Sequence, residues 1–282
     1  MSKPTPLLYE THSHTTLCGH ALGELHEYAE VALARNLRGY TITCHNPMPD
    51  RFGHRVRMEE SQFPLYLEMV AATREAFAGQ LDVLLGLECD YFPGFEAYLE
   101  RQLQSEAFHY VLGSVHPQQK EWRERFAVGA VREVQVAYFD QLAEAAETKL
   151  FDSISHPDLI KNLTVNDWDL DAIWDDILRT LDRIATTGVA LELNTSGAYK
   201  AIREMNPTPR IIEAARERDI PFVVGADAHQ PGRVGDRFVE ALELLNDCGY
   251  SHVSYFRDRQ RQALAIDEAL PTLCDPSEIE FR

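Results

Sequence analysis

Thr11-His12-Ser13-His14-Thr15-Thr16-Leu17-Cys18-Gly19-His20 follows directly on the apolar run Leu7-Leu8-Tyr9. In an extended strand, side chains two apart share a face, so His12 and His14 aim their ring nitrogens at one point beyond the strand end. His20 follows after a glycine-containing turn, which makes three imidazoles in nine residues. Neutral imidazole is the commonest ligand of divalent transition ions, so the stretch supports a metal-site reading to be tested against the rest of the chain. The plain alternative is a solvated, hydrogen-bonded His-rich loop. What the rest of the chain brings to the same place decides between them.

Working outward, apolar β-branched runs recur, each followed by a longer segment of helical period. Strands are predicted over 7–11, 39–44, 83–89, 110–115, 151–155, 189–194 and 222–226, with a weaker eighth over 252–256. Helices are predicted over 24–36, 63–78, 95–104, 131–148, 169–187, 209–218 and 237–248. Repeated strand-helix units imply parallel strands with helical crossovers, and seven or eight of them suit a barrel better than an open sheet. No linker, repeat or low-complexity tract divides the chain, so residues 1–282 read as one α/β domain. Within it, 118–129 is a candidate lid and 270–282 a tail.

Nearly every predicted strand ends in a potential ligand. After His12 and His14 come His45 in Thr-Cys-His-Asn-Pro, Glu88 in Gly-Leu-Glu-Cys-Asp and His116 in Gly-Ser-Val-His-Pro. His156 follows in Ser-His-Pro-Asp, then Asp227 and His229 in Gly-Ala-Asp-Ala-His. In a barrel all C-terminal strand ends open on one face, where active sites lie. One strand ending in histidine means little. A whole rim of His, Asp and Glu argues for convergence, because buried polar groups each need a partner.

Composition narrows the function. Lys and Arg total 27 against 45 Asp and Glu, a formal charge of −18. That speaks against long nucleic acid, which requires a basic footprint. Five cysteines in 282 residues are too few, and odd in number, for a disulfide scaffold. Residues 1–10 carry one lysine and no long apolar run, unlike a signal peptide, and no stretch is apolar enough to span a membrane. A cytoplasmic protein with reduced thiols is the expectation; oligomeric state is open.

Other candidates carry less. His26, His54, His109 and His252 fall away from the strand ends and read as surface or packing residues. Cys44 and Cys89 adjoin His45 and Glu88, and strand alternation turns them to the other face. Ser13, Ser114 and Ser196 lie in no Gly-x-Ser-x-Gly elbow. The aspartates around Trp168 and Trp174 lack the spacing of a calcium loop and read as a solvated face.

The ordered set His12-x-His14, His20, His45, Glu88, His116, His156 and Asp227-x-His229 resembles the polymerase and histidinol phosphatase (PHP) superfamily over nearly the whole chain. Within it, Ser114-Val115-His116, Asn194-Thr195-Ser196-Gly197 and Val234-Gly235 resemble the stand-alone histidinol-phosphate phosphatases of histidine biosynthesis. The resemblance implies a distorted (β/α)7 TIM-like barrel, three divalent metal ions (Zn, Mn or Fe) and hydrolysis of a small phosphorylated substrate by a metal-activated hydroxide. The matching positions imply one ion on His12, His14, Glu88 and Asp227, and a second on Glu88, His116 and His156. The third would lie on His20, His45 and His229. One departure is Cys44, where several family members carry an acidic residue.

A phosphate monoester is dianionic near neutral pH and hydrolyses extremely slowly unaided, which clustered cations remedy by neutralising charge and activating water. Glu88, Asp227 and His229 are the candidate catalytic residues, the last two for proton handling. Lys161, Lys200 and Arg233 are the candidate phosphate-binding cations, although such side chains are mostly just solvated. Trp122 could cover the substrate's imidazole, and Asp90 and Asp158 could pair with its cationic groups. The alternative reading is a PHP phosphoesterase acting on nucleotides or other small phosphate esters.

Overall fold

The structure, a computed structural model, describes residues 4–274. Seven short strands run parallel in chain order: β1 (Tyr9–Glu10), β2 (Gly39–Ile42), β3 (Asp82–Asp90), β4 (Tyr110–Ser114), β5 (Ser153–Ile154), β6 (Ala190–Asn194) and β7 (Phe222–Gly225). Almost every residue in them is buried, as expected of parallel strands covered on both faces. The ring closes beyond β1. Ser13 bridges Ala228 in parallel, with His14 N donating to Ala228 O at 2.9 Å and Ala228 N to His12 O at 3.0 Å. This closure sets His12-x-His14 beside Asp227-x-His229.

Helices pack on the outside: α1 (Leu25–Ala34), α2 (Phe63–Ala76), α3 (Glu96–Gln104), α4 (Lys120–Phe126), α5 (Val131–Glu147), α6 (Trp174–Ala185), α7 (Pro209–Arg216) and α8 (Phe238–Asp247). In α6, Ile177, Thr180, Leu181 and Ile184 are buried at the i, i+3, i+4, i+7 spacing. Asp176 on its outer side pairs with Arg132 and Arg179. Asp171 pairs with Arg210, while Asp167, Asp169 and Asp175 are exposed, in line with the solvated acidic face expected there.

The weak eighth strand forms as β8 (His252–Arg257), and a ninth that periodicity missed, β9 (Gln260–Ala265), returns antiparallel along it. Its Gln-Arg-Gln start is exposed and polar, so no apolar alternation marked it. β8 pairs with β7 only at Val223 and Ser254. Its far end reaches under the barrel, where Phe256 stacks on Tyr110 at 5.3 Å and clusters with Leu112, Ala190 and Val223. Arg259, in the turn, donates to Asp152 Oδ2 at 2.6 Å and to Leu150 O at 2.7 Å. The hairpin thus plugs the N-terminal end and leaves the C-terminal end open.

A short helix α9 (Ile266–Ala269) follows, then a 3-10 turn over Leu270–Thr272. Of the expected tail, 275–282 lies outside the described residues. No helix among the described residues is long and apolar enough to cross a membrane.

Candidate metal centre

Seven histidines, Glu88 and Asp227 gather at the open end of the barrel; five of the histidines and both carboxylates line a cleft of about 720 Å³, and His12 and His14 are buried beneath it. Glu88 stands near the C-terminal end of β3 and is buried. Its Oε2 faces His45 Nδ1 at 2.9 Å, His12 Nε2 at 3.4 Å and His14 Nε2 at 3.6 Å. Its Oε1 faces His156 Nε2 at 3.2 Å and His116 Nε2 at 3.4 Å. One carboxylate therefore addresses two separate groups of imidazoles. Asp227 Oδ1 lies 3.1 Å from His14 Nε2 and 3.7 Å from His12 Nε2. On the outer side, His20 Nε2 and His229 Nε2 are 2.9 Å apart. His45 stands between the groups, since His14, His45 and His229 also lie within 4.8 Å of one another.

The rings are held from behind. His20 Nδ1 donates to Cys18 O at 2.9 Å and His229 Nδ1 to Asp227 O at 3.0 Å, which leaves their Nε2 lone pairs facing each other. His116 Nδ1 is held by Asp90, which also takes Arg57, Gln119 and the Ser114 hydroxyl. His12 Nδ1 is held by Glu192 at 2.6 Å. His156 and Asp227 sit at φ 30° and 51°, left-handed values that are uncommon outside glycine and typical of strained functional positions.

Burial lowers the pKa of His14, His45 and His156, and burial with the nearby His14 takes His229 down to about 4. Burial alone would raise the carboxyls. The surrounding imidazoles outweigh it and hold Glu88 and Asp227 well below the usual carboxylate range. Against burial, the carboxylates of Glu192 and Asp90, with Glu88, raise the pKa of His12 and His116, and the Cys18 sulfur raises His20 to about 9, so near neutral pH ionised carboxylates face a mixture of neutral and protonated imidazoles.

A group of divalent cations fits this donor set. Glu88 Oε2 and Nδ1 of His14 and His156 are buried with no hydrogen-bond partner among the described residues. The close Nε2 pairs His12–His14, at 3.2 Å, and His20–His229 are what two ligands of a shared ion present.

The cations sort differently from expectation. Lys200 lines the cleft, 30 % exposed, with Nζ 3.8 Å from Asp227 Oδ2. Lys161 does not; it is 0 % exposed, and its ammonium is spent on Asp158 at 2.9 Å and Met205 O at 3.0 Å. Arg233 is also outside the cleft lining, paired with Asp236 at 3.2 Å and stacked over Tyr199. Asp90 and Asp158 are likewise committed, to His116 and Arg57 in one case and to Lys161 in the other. Trp122 points into the protein, its Nε1 donating to Gln141 Oε1 at 2.6 Å, so it covers no cleft.

Residues 118–121 of the candidate lid do line the cleft, facing Gly53, His54, Arg55 and Val56 of the opposite loop. Arg55, Lys120 and Glu121 are thus polar wall residues that no sequence motif marks, and His54, expected at the surface, is exposed there on the cleft rim. Cys44 replaces the acidic residue by accepting from Thr15 N at 3.4 Å and Thr15 Oγ1 at 3.2 Å. Burial raises its thiol well above the ordinary value, so an uncharged acceptor stands there. Glu10 and Glu192 also escaped notice. The signal that could have found Glu192 is an ionisable residue inside the apolar run Val189-Ala190-Leu191-Glu192-Leu193.

Residues 10–196 match the family model of the PHP domain. A probable histidinol-phosphatase of Deinococcus radiodurans is 42 % identical over 265 residues, covering 90 % of this chain and 98 % of that protein. The histidinol-phosphatase of Bacillus subtilis is 25 % identical, covering 82 % and 97 %. Among solved structures, histidinol phosphate phosphatase from Lactococcus lactis, complexed with zinc, L-histidinol and phosphate, superposes with a TM-score of 0.76 at 16 % identity, over 90 % of this chain and 98 % of that one.

Proposed function

The chain belongs to the PHP domain family, and from that premise we propose that it is a cytoplasmic histidinol-phosphatase that hydrolyses L-histidinol phosphate to L-histidinol and inorganic phosphate in histidine biosynthesis. The observation that carries the reading is the convergence of His20, His45, Glu88, His116, His156, Asp227 and His229 on one cleft floor, with His12 and His14 buried directly behind it, beneath a wall bearing both charge signs. These nine residues would hold three divalent ions, of zinc, manganese or iron, with Glu88 shared between two of them because its oxygens face different imidazoles.

Bound there, the ions would neutralise the phosphate and lower the pKa of water toward roughly 7. Lys200 reaches the same floor and would steady the ester oxygens, with Arg55 and Lys120 on the wall above it. Asp227 Oδ2 accepts the Ser196 hydroxyl at 3.0 Å and faces the cleft, so we assign it the proton of the attacking water. His229 keeps its Nδ1 proton on Asp227 O and turns Nε2 to the ions, so the leaving alcohol takes the proton that Asp227 receives from the water. Glu121 is the wall carboxylate outside the imidazole cluster and suits the substrate's ammonium.

A phosphate-release screen tests the assignment by comparing histidinol phosphate, nucleotides and an aryl phosphate. Histidinol phosphate should lead in kcat/KM by at least tenfold. A preference for nucleotides would replace the substrate while leaving the centre in place.

A further inference from the structure

We infer that Glu192 is a positioning residue that builds the centre from beneath, by fixing the tautomer of His12 and the backbone of His156. Glu192 lies on β6, is 0 % exposed and does not line the cleft, so it touches no substrate. Its Oε1 is 2.6 Å from His12 Nδ1, and its Oε2 accepts from His156 N at 2.9 Å and from Asn194 Nδ2 at 3.0 Å.

A carboxylate accepts only, so the first contact places the proton of His12 on Nδ1. Nε2 is left with its lone pair turned toward the cluster, 3.2 Å from His14 Nε2 and 3.4 Å from Glu88 Oε2. The second contact holds the amide of a residue at φ 30°, whose Nε2 then meets Glu88 Oε1 at 3.2 Å. One side chain thereby aims donors from the segments just after β1 and β5 at the two oxygens of Glu88.

Room for it is specific. A Cβ on Gly225 would fall 2.3 Å from Glu192 Oε1 and 2.6 Å from His12 Cβ, closer than side chains ever pack. The glycine before Ala-Asp-Ala-His is therefore there to admit this pair. His20, His229 and His116 take their orienting bonds from Cys18 O, Asp227 O and Asp90; Glu192 is the counterpart for His12. Groups that orient a ligand ring in this way typically change metal affinity 10- to 100-fold when removed.

The inference rests on reading the cluster as a metal centre, and zinc affinity separates the two. Chelator-competition titration with zinc alone is run on the wild type, Glu192→Gln, Glu192→Asp, His12→Asn and the His12→Asn/Glu192→Gln double variant, with thermal unfolding of each metal-free form. Glu192→Gln should bind zinc at least tenfold more weakly while its metal-free form melts near wild type, and excess zinc should recover its turnover. Glu192→Asp, which keeps the acceptor charge, should recover part of the affinity and serves if the glutamine variant does not fold. In the His12→Asn background, Glu192→Gln should cost distinctly less than it does alone. Zinc affinity within twofold of wild type in both Glu192 variants, or an equal loss with and without His12, overturns the inference. A wild type that binds no zinc overturns the metal centre itself.

Discussion

At the scale of the residue, two lysines that look alike in sequence have opposite jobs. Lys161 follows His-Pro-Asp and Lys200 follows Asn-Thr-Ser-Gly, so both sit just past a strand end and both suggest phosphate contacts. Lys161 neutralises Asp158 in a fully buried pair, whereas Lys200 opens on the cleft. Removing one partner of a buried pair leaves an uncompensated charge and typically costs about 3–5 kcal/mol. Lys161→Met should therefore lower the urea midpoint sharply while the folded fraction keeps its kcat. Lys200→Ala should leave the midpoint nearly unchanged and lower kcat/KM about 10- to 100-fold, the worth of one charged hydrogen bond to phosphate. If Lys200→Ala keeps full kcat/KM, it does not contact the substrate. The sequence could not separate them, because the direction of a loop side chain depends on what packs over the loop. For Lys161 that is Met205, 44 positions downstream.

At the scale of the element, strand ends were legible and the β8–β9 hairpin was not. Apolar runs mark buried parallel strands well, so β2, β3, β4, β6 and β7 fall where predicted, and the C-terminal ends of all but β6 carry the expected His, Glu and Asp. β9 is held by backbone pairing and by Arg259 beneath the barrel, neither of which leaves a periodic trace. That contact has a pH signature. Burial raises Asp152 to about 6, although Arg259 and Val111 N oppose it. A carboxyl raised on folding contributes stability that is whole below the ordinary value of 3.8 and is lost as pH rises through about 6. Wild type should therefore lose stability relative to Asp152→Asn between pH 4 and 7, by roughly 2–3 kcal/mol at 1.36 kcal/mol per unit. Urea melts of both proteins across that range check it, and a constant difference would show that Asp152 titrates normally.

At the scale of the whole molecule, the fold gathers Glu88, Asp227, Asp90 and Glu192 with seven imidazoles in a buried space, at a net charge of −18 for the chain. Such a concentration of carboxylates is stable only if cations or protons offset it. Removing divalent ions with a chelator should lower the melting temperature by on the order of 10 °C, since a ligand near a thousandfold above its Kd contributes about 4 kcal/mol. Added zinc should restore it, and a melting curve indifferent to chelator would mean that the cluster holds no ion. The sequence by itself determined the strand-helix alternation, the barrel class and the identity of the rim residues, because burial periodicity and strand polarity are local properties of the chain. Only the tertiary structure decided which charged groups face the cleft, that Glu192 stands beneath His12 and His156, and that a hairpin closes the far end. These depend on contacts between segments tens to hundreds of residues apart, and the spacing of residues along the chain does not encode them.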